Sequence, residues 1–155
     1  MLNVSNLRVS YGAIEVIHGI DLQVNQGECV ALIGANGAGK SSTLKAICGL
    51  VPATAGTIEF EGQDITNQSG HSIVKAGITM CPEGRQVFPQ MTTLQNLKMG
   101  AYPRKDAEQA ADVEEMMDMF PILRDRHIKL RAHCRVGAGD VGDWPGAYGA
   151  AFFFF

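Results

Sequence analysis

Gly34-Ala35-Asn36-Gly37-Ala38-Gly39-Lys40-Ser41 sets glycine, lysine and serine in the spacing G-x-x-x-x-G-K-[ST]. Glycines at Gly34, Gly37 and Gly39 let the backbone curl until consecutive N–H groups converge, which suits an anion with several oxygens. Lys40 then supplies a compact positive charge for the terminal phosphates of a nucleotide. The Ser41 hydroxyl suits a Mg2+ ion bridging those phosphates, and Ser42 can help hold the phosphate from the start of the following helix, whose own dipole favours the anion. Other reactive types form no comparable pattern. Cys29, Cys48, Cys81 and Cys134 are scattered without a C-x-x-C pair, and three of them sit in apolar runs, so they read as small hydrophobic residues. His18, His71, His127 and His133 are equally dispersed and suggest no site.

Such a loop needs a buried strand in front and a helix behind. Cys29-Val30-Ala31-Leu32-Ile33 is a continuous apolar run, short enough for a strand covered on both faces as in a parallel sheet. Behind the loop, Leu44, Ile47 and Cys48 recur at helical spacing until Gly49 and Pro52. Upstream, Leu2, Val4, Leu7 and Val9 alternate with polar residues, turn at Tyr11-Gly12, and continue as Ile17, Ile20, Leu22 and Val24, which predicts two antiparallel strands. Downstream, residues 57–61 alternate towards a turn at Gly62, a short helix surrounds Ile73-Val74, and residues 78–81 form a brief strand stopped by Pro82. Residues 92–99 predict a helix capped by Thr92 or Thr93, and a longer one covers 106–119. That helix holds Asp106, Glu108, Asp112, Glu114, Glu115 and Asp118 without a basic residue, a solvated face over an underside of Met116, Met117 and Phe120.

The 155 residues, net charge of -3 and 46% hydrophobic content fit one ordinary globular domain. No basic stripe exists to neutralise a phosphate backbone, so nucleic acid is not an expected partner. No apolar run approaches the roughly 20 residues that span a bilayer, and the N-terminus lacks a signal-peptide layout, so the expected location is cytoplasmic without direct membrane insertion.

Residues 33–42, preceded by Tyr11-Gly12 and by Gly19-Ile20-Asp21-Leu22, resemble the start of an ABC transporter ATP-binding subunit. Cys81-Pro82-Glu83-Gly84-Arg85, followed by Val87-Phe88-Pro89, is similar to the branched-chain amino-acid importer group. The resemblance covers residues 1–130. It implies an α/β fold, a P-loop NTPase core of ABC ATPase type with an N-terminal antiparallel β subdomain and a helical subdomain over about 92–130, incomplete at the C-terminus. It implies ATP and Mg2+ as cofactors. Tyr11 would stack on the adenine with Val16 as its apolar neighbour, and Gly34, Ala35, Asn36, Gly37, Ala38, Gly39, Lys40, Ser41 and Ser42 would surround the phosphates. Ser41 and Glu83 would serve the Mg2+, Glu83 standing where the family's glutamine loop senses the ion and couples to the membrane subunit. Implied partners are membrane permease subunits and a second ATP-binding subunit, at the inner face of the cell membrane. Another P-loop class, a small-molecule kinase or GTPase, is disfavoured by the Tyr11 hairpin and by the lack of a guanine-reading N-K-x-D.

Catalysis in that family also needs an L-S-G-G-[EQ] signature, an apolar strand ending in Asp-Glu and a later switch histidine. None occurs in these 155 residues. A chain of this sequence is therefore expected not to hydrolyse ATP efficiently, and a non-catalytic remnant binding nucleotide weakly or not at all is the alternative. Residues 131–155 read as an aberrant, disordered tail, glycine-rich and ending in four phenylalanines. Back-translation explains them. From the third base of the Leu130 codon, codons through Gly137 can spell A-G-T-L-S-G-G, with the leucine forced by His133 and Cys134. Starting one base earlier within the Gly137 codon, those through Gly149 can spell E-Q-E-M-L-A-I-G-R-A-L-M, the family's continuation. Two single-base losses would produce this tail. Without the later strands of the core sheet, the chain is expected to be poorly soluble or partly unfolded.

Overall fold

The computed structural model describes residues 1–81, 88–100 and 109–125, which fall into two compact units divided between 83 and 84. The first is built on a hairpin of β1 (Leu2–Tyr11) and β2 (Ile14–Val24), turned at Gly12. β3 (Ala55–Phe60) pairs antiparallel with the other edge of β1 and then with β4 (Gln63–Asp64), giving the order β2-β1-β3-β4. Leu2, Val4, Leu7 and Val9 all reach the core, although the step from Val4 to Leu7 breaks a period of two. A bulge at Ser5-Asn6 absorbs the break, with Asn6 at φ 47° and its N–H donating to Asp21 Oδ1 at 2.8 Å. Two further bulges lie on β2, at Gly19 and at Val16.

Against this sheet pack α1 (Lys40–Ile47) and α2 (Gly70–Lys75), whose Ile47 and Ile73 join Ile58 and Ile78 in the core. Ser69 caps α2 by accepting from Ser72 N–H. In the second unit, α3 (Thr93–Gly100) starts with a reciprocal cap. Gln95 N–H donates to Thr92 Oγ1 at 3.2 Å, and Thr92 N–H donates to Gln95 Oε1 at 2.8 Å. α4 (Gln109–Met119) and α5 (Pro121–Asp125) follow.

Three expectations need correction. Residues 29–33 and 78–81 are not sheet strands. A parallel strand takes its ladder and its cover from neighbouring strands, and among the described residues none pairs with either segment. Ile33 is consequently 93% exposed, while Val30, Ile78 and Met80 still pack on the antiparallel core. For the same reason Cys29 and Cys81 are exposed, and only Cys48 of the described cysteines is buried. On α4 the buried stripe is Val113 and Met117, four residues apart, whereas Met116 and Phe120 are exposed. The acidic face finds its cation on the next helix, where Arg124 contacts Glu114 at 2.9 Å and Asp118 at 2.6 Å. Asp106, Glu108, Cys134, His127, His133 and the expected tail over 131–155 lie outside the described residues.

Burial pushes the Cys48 thiol up to about 11. Alkylation of the native chain at pH 8 with peptide mapping should therefore modify Cys29 and Cys81 and spare Cys48. Equal modification of all three would contradict the packing of α1. The exposed Ile33 should make the apparent mass measured by light scattering rise with protein concentration. A soluble monomer with one sharp cooperative melt is the result that would contradict this.

Candidate functional site

The loop between residue 33 and α1 closes through its glycines, but not all for one reason. Gly37 and Gly39 adopt left-handed backbone at φ 86° and 87°, a region that costs other residues roughly 1–2 kcal/mol. Gly34 does not. A Cβ there would stand 3.2 Å from the Ala38 Cβ, so its lack of a side chain serves the close return of the loop. Ala38 N–H donates to Ala35 O at 3.1 Å and tightens the turn.

Gly39 is the junction of loop, helix and sheet. It stands at the cap of α1 with no side-chain cap bond, and its carbonyl accepts both Thr43 N–H at 2.9 Å and Thr43 Oγ1–H at 3.1 Å. A Cβ on Gly39 would lie 2.3 Å from Ile17 Cδ1 and 3.3 Å from Val16 O. The bulge at Val16 therefore presses the backbone of β2 against the loop. Gly39→Ala adds overpacking to left-handed strain and should destabilise the fold by about 2–4 kcal/mol. Gly37→Ala, whose Cβ would meet nothing within 4 Å, should give the smaller loss in urea titration. Equal losses would show that Ile17 and Val16 do not crowd Gly39.

Lys40 reaches back across the loop. Its Nζ donates to Gly34 O at 2.7 Å and to Ala35 O at 2.9 Å, using two of the three donors of an ammonium. The charge thus sits at the loop entrance with, among the described residues, a donor left for an anion, and the loop residues Gly34, Ala35, Asn36, Gly37 and Ala38 are all exposed to receive one. Ser41 and Ser42 lie on the first turn of α1. Tyr11, 45% exposed at the end of β1, brings its hydroxyl within 3.3 Å of Ser42 Oγ. The structure therefore joins Tyr11 to the phosphate loop. Val16 lies on the same hairpin, but the register sets Ile14 opposite Tyr11, and Val16 contributes its carbonyl behind Gly39 and a partly buried side chain on the core. Glu83 lies outside the described residues.

Sequence reasoning missed Thr43 and Ile17, which hold the loop from beneath. Thr43 is the one buried polar side chain among the described residues, and its position directly after Ser41-Ser42, inside a helix, was the available signal. The residues present fit a nucleotide polyphosphate: a curled glycine loop, an ammonium with a donor to give, and serine hydroxyls at a helix start. When bound, ATP would supply the phosphates and Mg2+ the neutralising charge between them, with Ser41 as the hydroxyl offered to the ion.

A phosphate-binding loop of P-loop NTPase type, backed by an antiparallel sheet that carries an aromatic at its rim, is the arrangement of an ATP-binding cassette. The chain belongs to the ABC transporter family, whose model matches residues 17–138. It is 35% identical over 127 residues to the high-affinity branched-chain amino acid transport ATP-binding protein BraG of Pseudomonas aeruginosa, covering 82% of this chain and 54% of that protein. It is 32% identical over 124 residues to a probable branched-chain amino acid transport ATP-binding protein, LivF, of Archaeoglobus fulgidus (80% and 52% covered). It is likewise 36% identical over 129 residues to the lipopolysaccharide export system ATP-binding protein LptB of Escherichia coli (80% and 54%). The chain spans about half the length of these curated relatives. Among solved structures, a nucleotide-free ATP-binding cassette from an ABC transporter superposes with a TM-score of 0.74 at 24% identity, over 90% of this chain and 60% of that one. A dimeric cassette bound to ADP and Pi gives 0.75 at 19% identity, over 86% and 63%. Among the described residues no helix is long and apolar enough to cross a membrane.

Proposed function

We propose that this chain is the nucleotide-binding part of an ABC importer's ATP-binding subunit and that the cargo is a branched-chain or related amino acid. The observation that carries the nucleotide reading is Lys40 drawn over the entrance of a left-handed glycine loop by Gly34 O and Ala35 O. In this reading ATP and Mg2+ bind at residues 34–42, Tyr11 receives the adenine, and Glu83 serves the Mg2+. The complete subunit works with a second copy and with membrane permease subunits at the inner face of the membrane. ATP should displace a fluorescent ATP analogue more effectively than GTP, and a GTP preference would remove the transporter reading.

The cargo reading rests on the similarity to BraG and LivF and on the run Cys81-Pro82-Glu83-Gly84-Arg85. Other relatives serve other cargoes: the 32% identical AglK of Rhizobium meliloti is an alpha-glucoside transport protein. Deleting the gene should abolish uptake of labelled leucine and leave uptake of alpha-glucoside unchanged. Intact leucine uptake would overturn the amino-acid assignment.

A second reading, a non-catalytic remnant that binds nucleotide weakly or not at all, is favoured by the lack of an L-S-G-G-[EQ] run in the 155 residues.

A further inference from the structure

Tyr11 and Ser42 are 31 residues apart in the chain, yet their hydroxyl oxygens stand 3.3 Å apart. Either group can donate in the pair as it stands. Adding a nucleotide removes that freedom. A phosphate oxygen at neutral pH only accepts, and a serine hydroxyl has a single hydrogen to give. Once Ser42 donates to phosphate, it can only accept from Tyr11. The bonds then run one way, from the Tyr11 O–H to Ser42 Oγ and from the Ser42 O–H to the anion, and bonds aligned in this sense polarise and strengthen one another.

We propose that Tyr11 and Ser42 form a hydroxyl clasp through which the phosphate end of the site sets the position of the ring that meets the base. The proposal rests on the nucleotide reading above. It makes Tyr11 a positioning residue through its hydroxyl, separately from any stacking by its ring. The clasp joins the last residue of β1 to the first turn of α1, so it ties the rim of the sheet to the helix that carries the phosphate loop. Tyr11 is exposed and Ser42 partly buried, so removing either hydroxyl leaves no buried polar group stranded, and the variants should fold.

The test is a double-mutant cycle on the full chain. Affinities for Mg-ATP and for inorganic tripolyphosphate are measured by displacement of a fluorescent ATP analogue, after circular dichroism has shown each variant folded like the parent. Tyr11→Phe keeps the ring and should weaken ATP about two- to tenfold, with a smaller loss for tripolyphosphate, which has no base to place. In a Ser42→Ala background the same change should cost nothing further, and in a Ser42→Thr background, which keeps a hydroxyl, its cost should return. A Tyr11→Phe loss that persists in the Ser42→Ala background, or no loss at all, overturns the clasp while leaving the nucleotide site standing. A parent chain that binds neither ATP nor tripolyphosphate overturns the site and the clasp together.

Discussion

Lys40→Ala should abolish phosphate-dependent nucleotide binding while leaving the fold nearly unchanged. The two halves of that expectation have different causes. Each charge-assisted hydrogen bond from the ammonium to a phosphate oxygen is worth about 1.5–3 kcal/mol, and no other cation stands within residues 34–42. Loss of one such bond corresponds to roughly ten- to 160-fold in affinity. Among the described residues the same lysine donates to Gly34 O and Ala35 O, both on exposed residues that water can satisfy after truncation. Titration of ATP and tripolyphosphate, paired with a thermal melt, separates the two effects. Unchanged affinity would mean that the loop is not used. A collapsed melt would mean that Lys40 holds the loop together rather than its ligand.

The second large effect is expected at the level of the gene. Accurate sequencing from the codon of Asp125 onward should restore one base near Leu130 and one within the Gly137 codon. It should open a frame through A-G-T-L-S-G-G-E-Q-E-M-L-A-I-G-R-A-L-M towards an apolar strand ending in Asp-Glu. The product of that frame should hydrolyse ATP, because it regains the segment that closes over a partner's nucleotide and the carboxylates that hold Mg2+ and orient water. A polypeptide with the present 155 residues should not turn over beyond background. If the bases stand as they are, the second reading holds, and ATP hydrolysis is not to be assigned to this chain. Measurable turnover by the 155-residue polypeptide itself would contradict the argument for both.

The parts of the molecule legible in its sequence are those set by local rules. Alternation marked the hairpin, the glycines and Lys40 marked the loop, and a capping threonine at Thr92 or Thr93 marked α3. What escaped depends on partners distant in the chain. The apolar run at 29–33 has the composition of a covered strand, but composition does not supply the neighbours that make it one. The bulge at Ser5-Asn6 follows from the left-handed Asn6 and its bond to Asp21, which a period of two cannot express. On α4 only Met117 of the expected underside packs, with Val113 beside it, while Met116 and Phe120 are exposed. Within the site, Tyr11 was expected near the nucleotide only by resemblance. Its contact with Ser42 across 31 residues is what the structure adds.

The bulge at Val16 has a mechanical meaning beyond crowding. Because Val16 O and Ile17 Cδ1 stand where a Gly39 side chain would go, the glycine loop and the second strand of the hairpin are in close contact and should move together. A ligand that stiffens the loop should also quieten β2, so amide exchange along that strand would slow when the site is occupied.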